Sequence, residues 1–495
     1  MASTLLNFIS HQQGEEHKGL TAEQEAQLTE LEKGEYQSFP SATRCFYGLL
    51  EAKMRTERFV GHNNYGYDDA EGNYQVKAGD HLAYRLEVRD LLGWGSFGAV
   101  YKCWDHYKKR NCAVKICRNK PSISQHVDSE LETLLLLRSQ AKDLSRRMSI
   151  MSLSKESKAN AMDTTGTMSL LGAVTGRAAE AETPVVEFGQ AHNCVTIQES
   201  FVFRHHRCLV FQSFGINLYE YLKSGNFQGM GLGQVRKVAL QLLKALKHLK
   251  GLGIVHCDVK PENVLLKGDP RGGCGDESVM EVVLCDFGSA SYIGTHFPAY
   301  VQSRYYRAPE VVLRLRSNQR DHQDASSPTM DMPMPAYGFE VDMWSLAAML
   351  PELRTGNVCF PAESEHDLFA CYCEVLGMPP PSLIGRVDPS LVEALVEKDE
   401  DTGEHTLKSA LLVSPLGKTR TIGSRSIARI ARARKTDASF VDFLARCLAW
   451  DPQERLDVES AASHDWITKI NLHQHRAPGL AARRSPVVGD TPIPT

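Results

Sequence analysis

Asp258, Lys260 and Asn263 lie in the run His256-Cys257-Asp258-Val259-Lys260-Pro261-Glu262-Asn263, which follows the pattern H-x-D-x-x-x-x-N with a lysine added. At that spacing, Asp258 can accept a hydroxyl proton and aim the oxygen at phosphorus, while Lys260 neutralises charge on a transferring group. Asn263 offers an amide oxygen to magnesium. Asp286, in Asp286-Phe287-Gly288, supplies the carboxylate that a hard cation still needs. Ala308-Pro309-Glu310 follows in the order expected of a phosphoryl-transfer site.

Upstream, Gly93-Trp94-Gly95-Ser96-Phe97-Gly98-Ala99-Val100 has the form G-x-G-x-x-G-x-V. Glycines let a backbone approach phosphates closely. Alone, the run fits a dinucleotide fold or a simple turn equally well, but a dinucleotide fold wants a helix next. Here a second strand pattern follows, ending in Cys112-Ala113-Val114-Lys115, where a strand lysine can pair with the α- and β-phosphates. A buried ammonium needs a carboxylate, and Glu130 on the next helix is the candidate, with Glu132 as its competitor. Four motifs in the right order point to a kinase that uses ATP and Mg2+ on protein hydroxyls. A pseudokinase scaffold would lack Lys115, Asp258 or Asp286, and all three are present. A lipid or small-molecule kinase fits the segment up to Glu310 less well.

The cysteine in His256-Cys257-Asp258, and Tyr300-Val301-Gln302-Ser303-Arg304-Tyr305-Tyr306-Arg307 before Ala308, resemble the dual-specificity tyrosine-regulated kinases. Gly215-Ile216-Asn217-Leu218-Tyr219-Glu220 resembles their class 2 branch. Tyr65-Gly66-Tyr67-Asp68-Asp69 and Asp80-His81-Leu82-Ala83-Tyr84-Arg85 are similar to the homology box ahead of the catalytic domain, with a weaker match over 22–60 to an accessory region. The resemblance implies an α+β, bilobal kinase fold with a small β-rich N-lobe and a larger helical C-lobe. It implies that Leu92, Val100, Ala113 and Leu265 sandwich adenine beneath Gly93, Gly95, Ser96, Phe97 and Gly98. Phe211 would be the gatekeeper and Gln212, Ser213 and Phe214 the hinge. It further implies that Tyr300 is autophosphorylated and that the mature enzyme acts on serine and threonine. Arg304 and Arg307 could then clamp the phosphate, which adds about −1.5 to −2 charge. Pro298 stands where the family usually has a first tyrosine, Gln212 where the hinge is usually acidic, and Ala347 where glycine is usual.

The elements that must hold these groups are legible as strand spacing over Tyr84–Leu92, Ala99–Asp105 and Asn111–Cys117, then a helix over Glu130–Leu137. Val235, Val238, Leu242, Ala245 and Leu249 recur at helical spacing. Further helices are expected around Met343–Leu353, Asp367–Leu376 and Phe440–Leu448. Near the start, Thr21 to Gln24 has capping-box spacing and Gly34 supplies a stop, which predicts a short helix with Leu28 and Leu31 on one face. The expected organisation is a loose 1–21, an accessory region 22–83, a kinase domain 84–467 and a loose tail 468–495. Ser/Met-rich stretches at 139–187 and 314–335 read as insertions.

With 495 residues, 42% hydrophobic, 23% charged and a net charge of −4, the composition is that of a soluble globular protein and not of a nucleic-acid binder. No apolar run reaches the roughly 18 residues of a membrane span. Thirteen cysteines lack paired zinc spacing, so free thiols in a reducing cytoplasm, or in the nucleus, are expected. Protein substrates and a monomeric catalytic unit are the expected partnership. Glu310 is expected to pair with Arg455 in a buried structural contact. The basic cluster Lys418, Arg420, Arg425, Arg429, Arg432, Arg434 and Lys435 reads as a solvated helix face ahead of a dock for acidic or phosphorylated partners or a nuclear address.

Overall fold

A computed structural model describes residues 22–26, 28, 30–39, 63–160, 192–268, 280–294, 298, 300–315, 337–398, 403–415 and 417–469, with side chains of 24, 31, 65 and 141–160 set aside. The expected loose N-terminus and C-terminal tail, most of the second insertion and the far part of the first lie outside these residues.

Six strands form one antiparallel sheet: β1 (His81–Leu82), β2 (Leu86–Gly95), β3 (Gly98–Asp105), β4 (Arg110–Cys117), β5 (Ile197–Phe203) and β6 (His206–Gln212). Their order is β1-β2-β3-β4-β6-β5. The strand β4 is buried from Cys112 to Cys117 on both faces, as a central strand must be. On one side of it, β3 joins β2 at a turn where Gly95 pairs with Gly98, which makes the glycine-rich run the tip of a hairpin.

Two short helices, α1 (Ala22–Ala26) and α2 (Glu30–Ser38), precede the sheet. The helix α2 runs straight through Gly34 and does not stop there. An interior glycine costs about 1 kcal/mol, and the residues beyond it supply the compensating contacts. Glu35 meets the Arg204 guanidinium and accepts a hydrogen bond from the Tyr84 hydroxyl at 2.8 Å. Tyr36 packs edge-on to Tyr84, and Phe39 touches Tyr84, Phe201 and Phe203. Leu28 is buried beside them, whereas the Leu31 side chain falls outside the described set. The homology-box segment closes the same face: Asp68 bonds the buried His206 ring at 2.7 Å, and Tyr67 lies under Arg204.

The helix expected over Glu130–Leu137 is the middle of α3 (Pro121–Asn160), which continues well past Ser139 into the stretch read as an insertion. Below the sheet come α4 (Leu218–Ser224) and α5 (Leu232–Gly251), whose buried face carries the predicted Val235, Val238, Leu242, Ala245 and Leu249. Small strand pairs follow, β7 (Ile254–Val255) with β10 (Ser291–Tyr292) and β8 (Val264–Leu266) with β9 (Val282–Leu284). Then come α6 (Pro309–Val312), α7 (Glu340–Thr355) and α8 (Glu365–Leu376). Nearly every side chain of α7 is buried, which makes it the axis of the lower lobe. Trp344 of α7 stacks on Phe360 and meets the edge of Tyr372. The outcome is the expected β-rich upper lobe over a helical lower lobe. Among the described residues, no helix is long and apolar enough to cross a membrane.

Glu310 of α6 and Arg455 form the expected pair through two bonds of 2.7 and 2.9 Å, with both side chains fully buried. Arg455 also donates to the carbonyls of Glu340 and Ala449. Removing one partner strands the other charge in the core. Arg455→Met should therefore lower unfolding free energy by about 3–5 kcal/mol in urea melts, and adding Glu310→Gln should recover part of that loss.

Candidate active site

Lys115 lies two-thirds along β4, and the β3·β4 register sets Val100 opposite it. Its ammonium reaches Glu130 of α3 at 2.8 and 2.9 Å and Asp286 at 3.1 Å. Glu130 is 3% exposed whereas Glu132 faces solvent, which decides between the two candidates. Burial works against the Lys115 charge, but the Asp286 and Glu130 carboxylates outweigh it and hold the ammonium protonated well above its ordinary range. At Asp286 burial likewise opposes the charge, and Lys115 overrides it to keep the carboxyl below the usual range. The Asp286 side chain remains 43% exposed, so an ionised oxygen faces the space above Lys115.

Asp286 sits at φ 63°, a left-handed conformation that its neighbours impose. Phe287 is buried edge-on against the His256 ring at 5.2 Å. Cys285 accepts from His256 through its carbonyl and donates its own N–H to the Asn263 carbonyl at 2.9 Å. The two residues proposed as metal ligands are thus tied together through one backbone bond.

Asp258 is gripped from four sides. Its Oδ1 accepts from the Ser303 hydroxyl at 2.7 Å and the Ser303 N–H at 3.1 Å. Its Oδ2 accepts from Lys260 at 2.7 Å and from the Asn263 amide at 3.1 Å. Lys260 also reaches the Ser303 hydroxyl at 2.9 Å. Both hydrogen bonds of the Asn263 side chain leave through its nitrogen, so its amide oxygen stays available as a ligand. An amide oxygen and a carboxylate are hard donors, and this set fits Mg2+.

The nucleotide side follows from register. The β4·β6 pairing sets Ala113 beside Phe211 and Cys112 beside Gln212. Leu265 of β8 bridges to Asn217, just past Gln212, Ser213 and Phe214. Leu92 is 51% exposed on the upper lip, as are Gly93, Gly95 and Ser96. Only glycine fits position 98, where φ is 151° and an added Cβ would lie 2.1 Å from the Ile116 carbonyl oxygen. Phe97 hangs from the tip over the site, within 3.3 Å of where a Gly288 Cβ would be and 6.0 Å from the Lys115 ammonium.

Tyr300 is 60% exposed. The Arg307 guanidinium lies 3.8 Å from its ring centroid, held there by the Val301 and Gln302 carbonyls and by Glu365. Arg304 turns elsewhere and donates to the Glu363 carbonyl at 2.7 Å. With Tyr300 unmodified, the paired clamp is therefore not assembled. Arg307 is at the ring, and Arg304 is committed to the Glu363 carbonyl.

Two groups escaped sequence reasoning. Asp342 of α7 is buried and accepts the backbone N–H groups of His256 and Cys257 at 2.7 and 2.9 Å, pinning Cys257 at φ 64°. An acid inside an otherwise apolar helix pattern was the available signal. Gln302 is the other, also left-handed. Its amide bonds the Val341 carbonyl and the Ser345 hydroxyl, and its oxygen accepts from Ala308.

A family model described as "Protein kinase domain" matches residues 171–467. Dual specificity tyrosine-phosphorylation-regulated kinase 3 of Mus musculus is 33% identical over 486 residues, covering 93% of this chain and 69% of the relative. The chain belongs to the dual-specificity tyrosine-regulated kinase family. Two other members, mbk-2 of Caenorhabditis elegans and kinase 2 of Drosophila melanogaster, are 34% and 32% identical over 90% and 85% of this chain. The chain spans about half the length of these two relatives, 46% and 47%. The domain match begins past β2 to β4, yet those strands share one sheet with β5 and β6, so the family's nucleotide-facing hairpin is part of the same body.

Asp342→Asn keeps the shape but halves the acceptors offered to the two N–H groups. At about 1.5–3 kcal/mol per hydrogen bond to a charged group, thermal melts should show a drop of that order.

Proposed function

We propose that this kinase-family chain moves the γ-phosphoryl of ATP to serine and threonine hydroxyls of proteins, and to its own Tyr300 during maturation. The observation that carries this is the Lys115–Asp286 contact joined to the firmly held Asp258 through Asn263, which bonds Asp258 and accepts the N–H of Cys285 beside Asp286. In this reading Lys115, fixed by Glu130, pairs the α- and β-phosphates, and Gly93 to Gly98 cover them. Leu92, Val100, Ala113, Phe211, the hinge 212–214 and Leu265 enclose the adenine. Asn263 and Asp286 would hold Mg2+, which when bound neutralises phosphate charge. Asp258 receives the proton of the incoming hydroxyl and orients its oxygen. For a hydroxyl to reach Asp258 Oδ1, the Ser303 hydroxyl now bonded there has to give way or share. Lys260 stays on Oδ2 and offers its remaining donors to the transferring group. Positioning and electrostatics supply most of the acceleration.

Phosphorylated Tyr300 would project its charge past the Arg307 guanidinium already at its ring, and a swing of Arg304 off the Glu363 carbonyl would complete a two-arginine clamp. The free, buried cysteines support a reducing cytoplasmic setting, with the nucleus open as well, and the catalytic unit is taken as a monomer.

In a radiolabel transfer assay on a generic basic protein with Mg·ATP, Asp258→Asn should cut kcat by about 10²–10⁴. Turnover within twofold of the unsubstituted protein would remove Asp258 from this role. Phosphopeptide mapping of active recombinant protein should find phosphate on Tyr300. Tyr300→Phe keeps the ring over Arg307, so any loss of activity in that variant reports the phosphate and not the packing.

A further inference from the structure

The basic cluster over 418–435 divides in the structure. Arg420 is buried and paired with Asp367 at 2.6 Å, and Arg434 closes on Asp437, so those two serve the fold. Lys418, Arg425, Arg429 and Arg432 instead line one depression of about 540 Å³. It lies between this loop and the connection from α7 to α8. Among the described residues the one carboxylate in its wall is Glu374, which is 7% exposed. Glu374 sits 3.4 Å from Arg425 and 3.9 Å from Lys418. Among the described residues Arg429 and Arg432 have no ionic partner, so four cations face one acid in a protein whose net charge is −4.

This pocket is built and not merely a solvated face. The loop is stitched to α8 by backbone bonds from Gly423 to the Cys373 carbonyl (2.9 Å) and from Arg425 to the Glu374 carbonyl (3.0 Å). The Arg420–Asp367 pair locks its base. Arg432 is held at φ 45°, a left-handed conformation rare for a non-glycine residue, and strain of that kind clusters at binding sites. Hydroxyls of Thr421 and Ser424 add donors to the same wall.

We propose that this pocket docks a phosphorylated segment of a protein partner. A phosphoryl group brings about −1.5 to −2 charge and three acceptor oxygens, which matches arginine forks better than a carboxylate does. The depression is large enough for the phosphorylated side chain with flanking backbone. The α7–α8 connection that forms one wall also carries Glu363, whose carbonyl holds Arg304 of the segment bearing Tyr300. Through Arg304 that connection is linked to Ser303 on Asp258, so a chain anchored in the pocket is read as a substrate. Only the description of that chain as a substrate rests on the kinase reading.

The test is fluorescence anisotropy, without ATP, using a fluorescein-labelled 12-residue peptide with two phosphoserines three residues apart. Its serine and glutamate versions are measured in parallel. The phosphopeptide should bind at least tenfold more tightly than the serine version, and Arg429→Glu/Arg432→Glu should abolish that preference with the melting temperature unchanged. Arg429→Gln/Arg432→Gln serves as the milder pair if the first unfolds. Equal binding of the phosphorylated and serine peptides, or a preference that survives both pairs, overturns the proposal. So does competition by inorganic phosphate at the phosphopeptide's own concentration, since that would mark a plain anion hole, and so does pair-dependent binding to anionic lipid vesicles without phosphopeptide binding. Because the readout needs no turnover, a dead enzyme that still binds would sink the kinase reading and leave the pocket standing.

Discussion

One ammonium between two carboxylates organises the upper half of this molecule and its join to the lower. Lys115 belongs to the sheet, Glu130 to a helix packed beside it, and Asp286 to a loop fed by the lower lobe. Each carboxylate would be costly to bury alone, and each stabilises the lysine charge that burial would otherwise suppress. The triangle therefore fixes helix α3 against β4 and the Asp286 loop against both. Rotating α3 by one residue would present Ser129 or Leu131 to the lysine and leave an uncompensated charge in the interior.

The lower lobe obeys a parallel constraint. Its chemistry-bearing loop runs from His256 to Asn263, and a backbone that adopts φ 64° at Cys257 needs an external clamp. Asp342 is that clamp, and it can be buried within α7 because the two backbone N–H groups it accepts offset the cost of taking an acid out of water. The core thus exists in a form that lets one acid hold two amides in place. Glu310 and Arg455 do the equivalent at the far end of the Tyr300 segment.

Much of this was readable from residue order alone. Motif spacing located Lys115, Asp258, Asn263 and Asp286, because the chemistry demands those side chains in that sequence. Strand and helix periods placed the sheet, α5 and α7. Contacts decided by the third dimension were not readable. The choice of Glu130 over Glu132 needed the helix rotation, and the Ser303 hydroxyl on Asp258 needed the path of a loop. Gly34 looked like a helix stop because local propensity cannot see Arg204, some 170 residues on, waiting for Glu35. The extension of α3 past Ser139 was hidden by composition, since the stretch is Ser-rich and carries no regular apolar stripe. Within the basic cluster, Arg420 proved structural because its partner Asp367 lies on another helix.

The docking of α2 and the homology-box segment on the outer sheet face carries a practical meaning for how this protein is cut. Tyr84, Phe203 and Val114 are sheltered by Tyr36, Phe39, Tyr67 and Tyr74. A fragment trimmed to start at position 84 would retain every phosphate-handling group yet wear a bare aromatic surface, and would be prone to stick to its own copies. The stretch that looks like a preface in the sequence is the missing wall of the upper lobe.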